Sequence, residues 1–126
     1  MNMSLFKLNI KKMKAKKDVE GLIKALDYKK DYDVISDAIL ALGELRDKRA
    51  VEPLFHALGD SNLLVEGRAA EALEVIGEPA VEYLFKALED DRTEHVALVT
   101  LRNMRARGQL GKETLKKLKK LDYIII

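Results

Sequence analysis

The strongest constraint on this chain is an internal repeat with the pattern Val-x-x-Leu-x-x-Ala-Leu. It occurs three times, within DVEGLIKAL (18–26), AVEPLFHAL (50–58) and AVEYLFKAL (80–88). Apolar residues at this spacing share one face of an α-helix, whereas the side chains of a strand alternate between two faces. Each copy therefore predicts a short helix with one buried face.

A second helix is predicted after each copy. The segment DVISDAILALGEL (33–45) aligns with LVEGRAAEALEVI (64–76), and both carry alanines at helical spacing. Small side chains at this spacing allow a neighbouring helix to pack closely. The third segment, HVALVTLRNM (95–104), keeps the valine but loses the alanines. A degenerate last copy is typical of the end of a repeat stack.

Turn and capping residues delimit these helices. Gly43 and Gly77 predict the ends of two second helices. Pro53 and Pro79 fall in or before the first turn of their helices, where a missing N–H costs no hydrogen bond. The candidate N-cap residues are Asp33, Ser61 or Asn62, and Asp91 or Thr93.

The predicted fold is therefore all-α: a superhelix, or solenoid, of about three helix pairs with capping helices at both ends. We expect one domain over residues 1–126. Its predicted parts are a capping helix at 1–17, repeats at 18–46, 47–77 and 78–106, and a C-terminal helix and tail at 107–126. Terminal helices of this kind shield the exposed ends of a stack.

The repeats resemble a known family. RDKRAVEPLFHALGD and VEGRAAEALEVIGEPAVEYLFKAL are similar to HEAT repeats, of the short subtype first noted in phycobilisome lyases, and the likeness covers about residues 18–105. The resemblance implies an armadillo-like α-solenoid whose second helices line a concave surface. One departure is that the family's arginine after the valine is Ile35, Glu66 and Ala97 here. Functions that depend on that arginine are therefore not implied.

Composition narrows the class of protein. The chain has no cysteine, which excludes disulfides and thiolate metal sites. It has no signal-like segment and no apolar run near the ~18 residues of a membrane span, so we expect a cytoplasmic protein without membrane association. Abundant Lys, Glu and Ile without Cys or Trp favours a thermophilic source.

No catalytic group of residues is visible. Deoxyhypusine hydroxylases resemble this fold and hold iron through His-Glu pairs, but this chain has two histidines and no such pair. His56 occupies the slot that Lys24 and Lys86 fill in the other copies, so we expect it to be exposed; we expect His95 to be structural or solvated. We predict no enzyme activity, no metal and no cofactor. Two acidic clusters, interpreted as helix caps and solvated loops rather than cation sites, are Asp27, Asp31, Asp33 and Glu89, Asp90, Asp91.

The candidate functional surface is the exposed stripe of the second helices. Aligning the repeats groups its residues into rows of mixed polarity, which suit a protein partner. The candidate partner-binding residues are Asp37, Leu40, Arg68, Glu71, Val99 and Arg102. The surface turns basic toward Arg102, Arg105 and Arg107. We therefore predict a non-enzymatic interaction or scaffold module.

Three alternatives stay open. Residues 1–17 carry six lysines and no acid, and residues 107–126 carry a net charge of +4, whereas the part between them carries −8. The basic terminal helices are therefore a candidate nucleic-acid surface. The chain is also a candidate accessory subunit of a lyase or other enzyme complex. The apolar Tyr-Ile-Ile-Ile at 123–126 is a candidate site of homo-oligomerisation.

Overall fold

The computed structural model describes the backbone of residues 2–121 and the side chains of residues 9–121. Within this range the chain forms only helices and turns, which confirms the predicted all-α solenoid. The α-helices are α1 (Asn2–Ala15), α2 (Val19–Ala25), α3 (Tyr32–Leu45), α4 (Val51–Ala57), α5 (Leu63–Ile76), α6 (Val81–Ala87), α7 (Glu94–Ala106) and α8 (Lys112–Leu121). Short 3₁₀ segments, Lys48–Ala50 and Glu78–Ala80, precede α4 and α6. The Tyr-Ile-Ile-Ile segment lies outside the described residues.

The helices stack in pairs around a continuous core. α2 packs on α3, α4 on α5 and α6 on α7, while the second helices α3, α5 and α7 pack side by side. The repeated leucines Leu22, Leu54 and Leu84 have no exposed surface. Burying one such side chain stabilises the fold by about 1.5–3 kcal/mol. The stripe that predicted the helices is therefore also the stripe that holds them together.

The second helices begin at polar side chains, but one predicted cap is wrong. α3 is capped by Asp31, which accepts a hydrogen bond from the Asp33 backbone N–H at 2.9 Å, so Asp33 lies inside the helix. Asn62 caps α5, as predicted, by accepting from the Leu64 and Val65 N–H groups. Thr93 occupies the cap position of α7, but its buried hydroxyl instead donates to the Ala87 carbonyl at 2.8 Å.

The two glycines expected to end second helices behave differently. Gly77 does end α5, and its φ of +85° is one that other residues rarely adopt. Gly43 lies inside α3, which continues to Leu45, so the prediction for Gly43 is wrong. A Cβ built on Gly43 would lie 3.0 Å from both the Cα and the Cβ of Ala72. Gly43 therefore serves the close approach of α3 to α5.

The end helices pack on the stack to different extents. α1 contacts α2 and α3, with Ile10 buried and Met13 half-buried. In α8 only Thr114 and Leu118 are buried, whereas Leu115 and Leu121, three positions before and after Leu118, are 39% and 45% exposed. α8 therefore covers the last pair through a narrow contact rather than a full apolar face.

The close approach of α3 and α5 predicts opposite effects for two glycine substitutions. Gly43→Ala should lower the free energy of unfolding by about 1–2 kcal/mol, because overpacking against Ala72 outweighs the roughly 1 kcal/mol gained in helix propensity. Gly67→Ala, within α5, should raise it by about 0.5–1 kcal/mol, because a Cβ there meets no atom within 4 Å. Urea unfolding followed by circular dichroism measures both, and a stabilising Gly43→Ala would contradict the packing role.

Candidate functional site

The six predicted partner-binding residues lie on three stacked helices, and we call them the second-helix face. Asp37 and Leu40 belong to α3, Arg68 and Glu71 to α5, and Val99 and Arg102 to α7. Asp37, Leu40 and Arg68 are half-buried, whereas the other three are exposed. All six are therefore accessible in part, and none belongs to the buried core.

The α3 end of the second-helix face forms one side of a groove. Asp37 and Leu40 line this groove, which has a volume of about 300 Å³, and α1 supplies its other side. The remaining lining residues are Ile10, Lys11, Lys14, Ala41 and Glu44. The Lys14 ammonium and the Glu44 carboxylate form an ion pair across the groove. Aligning the repeats did not find the α1 side, because α1 lies outside the repeated register.

The α5 part of the second-helix face is held in place by its own contacts. The Arg68 guanidinium donates to the Glu71 carboxylate at 2.9 Å within α5. Its Nε donates to the hydroxyl of Ser36 in α3 at 3.3 Å, and Ser36 is buried. Arg68 therefore ties two second helices together and presents its remaining N–H groups in a defined orientation.

The α7 part of the face is positioned by a buried carboxylate. Glu74 of α5 is 6% exposed and forms an ion pair with Arg107, Oε1 to Nη1, at 2.8 Å. The Asn103 side chain donates to the other carboxylate oxygen at 3.4 Å, and the Gln109 side chain donates to the Glu74 backbone carbonyl at 2.9 Å. These contacts link α5 to the C-terminal end of α7. The same helix carries Val99 and Arg102.

The Glu74 contact was not predicted, although the sequence contained a signal for it. Glu74 stands in the register position that Gly43 holds in the first pair, so an acid occupies a slot that otherwise meets a neighbouring helix. Arg107, grouped with the basic surface by sequence, is thus already paired. Val99 and Arg102 make no hydrogen bond or ion pair with the other four residues of the face, all of which are described.

The part of the chain that the structure describes offers no metal centre. No group of three or more His, Cys, Asp or Glu residues converges there to hold an ion. Of the acidic clusters, Asp31 caps α3 and Asp90 accepts from the Arg92 backbone N–H at 2.9 Å. His56 and His95 are both exposed, as expected for His56. The second-helix face is therefore equipped for ionic and apolar contact.

The comparisons with known proteins agree with this architecture. The fold is an α-solenoid, and a family model described as HEAT repeats matches residues 19–105. This is more than half of the 126 residues, and the chain belongs to the HEAT-repeat family. HEAT repeats generally mediate protein–protein interaction or scaffolding and are typically non-catalytic. The phycobilisome-lyase subtype stays a prediction.

A search of curated proteins finds no match to the chain. Within residues 2–121, no helix has both the length and the apolar character needed to cross a membrane.

The buried Glu74 predicts a specific cost for losing its partner. Arg107→Ala should lower the free energy of unfolding by about 1–2 kcal/mol, because the buried carboxylate would lose its counter-ion; the exposure of Arg107 keeps the loss below that of a fully buried pair. Lys116→Ala is the control, because its pair with Glu113 spans 3.9 Å at the surface and should change stability by less than about 0.5 kcal/mol. Equal losses in urea unfolding would contradict this role.

Proposed function

We propose that the protein is a non-enzymatic interaction module, or scaffold, that binds a protein partner through the second-helix face. The observation that carries this proposal is the groove between α1 and α3, which Asp37 and Leu40 line. Beside it on α5 the Arg68–Glu71 pair is tied to α3 by the hydrogen bond from Arg68 to Ser36. An apolar side chain between oriented charges is the composition of a protein-binding surface. Membership of the HEAT-repeat family supports the same function.

The distribution of charge supports a partner of matching polarity. The α3 end of the face carries Asp37 and Glu44, and the α7 end carries Arg102. The apolar Leu40 and Val99 lie on the same two helices, and Val99 is 37% exposed. A partner segment that is basic over α3 and acidic over α7 would form ion pairs at both ends while apolar contacts supply affinity between them.

The positions of the two basic terminal helices favour a protein-binding function over one continuous nucleic-acid-binding surface. α1 contacts the first helix pair, whereas α8 contacts the third through Thr114 and Lys117. Lys14 of α1 is also engaged by Glu44. The lysines therefore divide between two ends of the stack, with a net acidic body between them that disfavours one continuous contact with a nucleic-acid backbone.

Charge reversal tests the proposed surface. The partner would first be identified by affinity purification from the native host and mass spectrometry. The double variant Glu71→Lys with Arg102→Glu keeps the net charge and should weaken binding of that partner by at least about tenfold, or ~1.4 kcal/mol, in calorimetry.

The matched control changes two exposed residues on the first helices. Lys24→Glu with Glu52→Lys also keeps the net charge. It should leave the affinity for the partner within about twofold, since exposed charges outside the proposed surface contribute little to binding. A partner that binds the Glu71/Arg102 variant as well as the wild type would refute the surface. Nucleic acid that copurifies and dissociates steeply with salt would instead support the alternative function.

A further inference from the structure

A second cavity lies between the C-terminal ends of α4 and α6 and the loop before α7. Its volume is about 210 Å³, and it shares no residue with the second-helix face. Phe55, His56 and Gly59 line it from the α4 side, while Lys86, Asp90 and Arg92 line it from the α6 side. The cavity therefore gathers three nitrogen-bearing side chains within a segment of the chain that is acidic overall.

The one carboxylate that lines this cavity is already neutralised. The Asp90 oxygens accept from the Arg92 side chain at 3.2 and 3.5 Å and from its backbone N–H at 2.9 Å. The side-chain hydrogen bond with Arg92 holds the pKa of Asp90 below its ordinary value. Asp90 is thus ionised and paired, and it leaves no charge to offset Lys86.

Lys86 and His56 have no anionic partner among the described residues. The Lys86 ammonium lies 5.1 Å from the centre of the Tyr83 ring, a cation–π contact that leaves its positive charge uncompensated. The His56 ring contacts Phe55, with centroids 5.4 Å apart, and forms no hydrogen bond there. Both side chains are exposed and line the cavity, and no carboxylate among the described residues pairs with either.

Aligning the three copies shows which acidic side chain is absent from this cavity. The residue after the repeated leucine is Asp27 in the first copy and Glu89 in the third, but it is Gly59 where this cavity opens. Geometry does not require glycine there, because a Cβ would meet only the His56 carbonyl oxygen, at 3.6 Å, and the backbone does not adopt a positive φ. An acid found at this slot in both neighbouring copies is therefore absent from the cavity that Lys86 and His56 line.

The cavity wall is ordered by a buried polar contact. Thr93, which also lines the cavity, is 6% exposed, and its hydroxyl donates to the Ala87 carbonyl at 2.8 Å. This bond fastens the loop that carries Asp90 and Arg92 to α6. The backbone that carries Arg92 is therefore held against α6, while the side chains of Arg92, Lys86 and His56 are exposed.

We propose that this cavity is a phosphate-binding site, in which His56, Lys86 and Arg92 donate to the oxygens of a phosphate group. Donors from three positions suit a tetrahedral ion with several acceptor oxygens better than a planar carboxylate with two. Arg92 keeps N–H donors in excess of those that Asp90 accepts.

The experiment is a titration of ¹⁵N-labelled protein with inorganic phosphate at constant ionic strength and pH, followed by amide chemical shifts. We expect saturable shifts confined to residues 55–59 and 86–93. Acetate at equal ionic strength should bind at least about tenfold more weakly. No saturable shift with phosphate would overturn the site, and equal or tighter binding of acetate would overturn the phosphate assignment.

Two variants at one position test the charge argument. Gly59→Asp supplies the acid of the neighbouring copies and should weaken phosphate binding by about tenfold or more. Gly59→Asn has nearly the same size without the charge and should bind phosphate within about threefold of the wild type. If Gly59→Asn loses binding as fully as Gly59→Asp, the charge argument is overturned.

A second pair of variants makes the test independent of position 59. Lys86→Gln should weaken phosphate binding by about tenfold, whereas Lys24→Gln, at the same register position in the first copy, should leave it unchanged. Both lysines are exposed, so neither change removes a core contact. Equal effects of the two variants would show that phosphate senses only overall charge, which would overturn the proposal.

Discussion

The close approach of α3 to α5 at Gly43 and Ala72 is the contact on which the arrangement of the second helices depends. With 3.0 Å between a notional Gly43 Cβ and Ala72, the two backbones meet with no larger side chain between them. This spacing brings the Arg68 guanidinium within hydrogen-bond reach of Ser36, 32 positions away in the chain. The orientation of the exposed charges on α5 therefore follows from a packing contact made by the two smallest residues.

The next interface in the stack is built on a different physical basis. In α7, Thr100 and Asn103 stand where α5 has Ala69 and Ala72. Thr100 satisfies its buried hydroxyl by donating to the Val96 carbonyl at 2.7 Å, and Asn103 turns toward Glu74. An ion pair between the buried Glu74 and the exposed Arg107 joins α5 to the C-terminal end of α7, whereas small apolar residues join α3 to α5. Because Arg107 and Asn103 both contact Glu74, we infer that these contacts fix the C-terminal end of α7 against α5.

Comparing the three copies of the repeat position by position also shows what single residues do. Where the three copies agree, as at the buried leucines, the residue packs. Where one copy departs, the departure has a local consequence. Glu74 replaces the glycine of the first copy and is a buried acid paired with Arg107. Gly59 replaces the acid of the other two copies and lines the cavity beside His56 and Lys86. His56 is exposed, as its slot in the repeat predicts, and it lines the cavity between α4 and α6.

The sequence alone determined the helices, their pairing and the face of each that is buried, because helical periodicity and the repeat interval are local properties that a single chain displays. It also located some helix ends, such as Asn62 and Gly77 of α5, but misplaced others. Gly43 lies within α3 and Asp31, not Asp33, caps that helix, since a cap and a nearby helical residue of the same type look alike in sequence. The tertiary structure alone decided that Arg107 is engaged by Glu74, that α1 completes the groove beside Leu40, and that Gly43 packs rather than ends a helix. These contacts join residues about 30 positions apart, and their distances depend on how closely the helices stack, which no local pattern encodes.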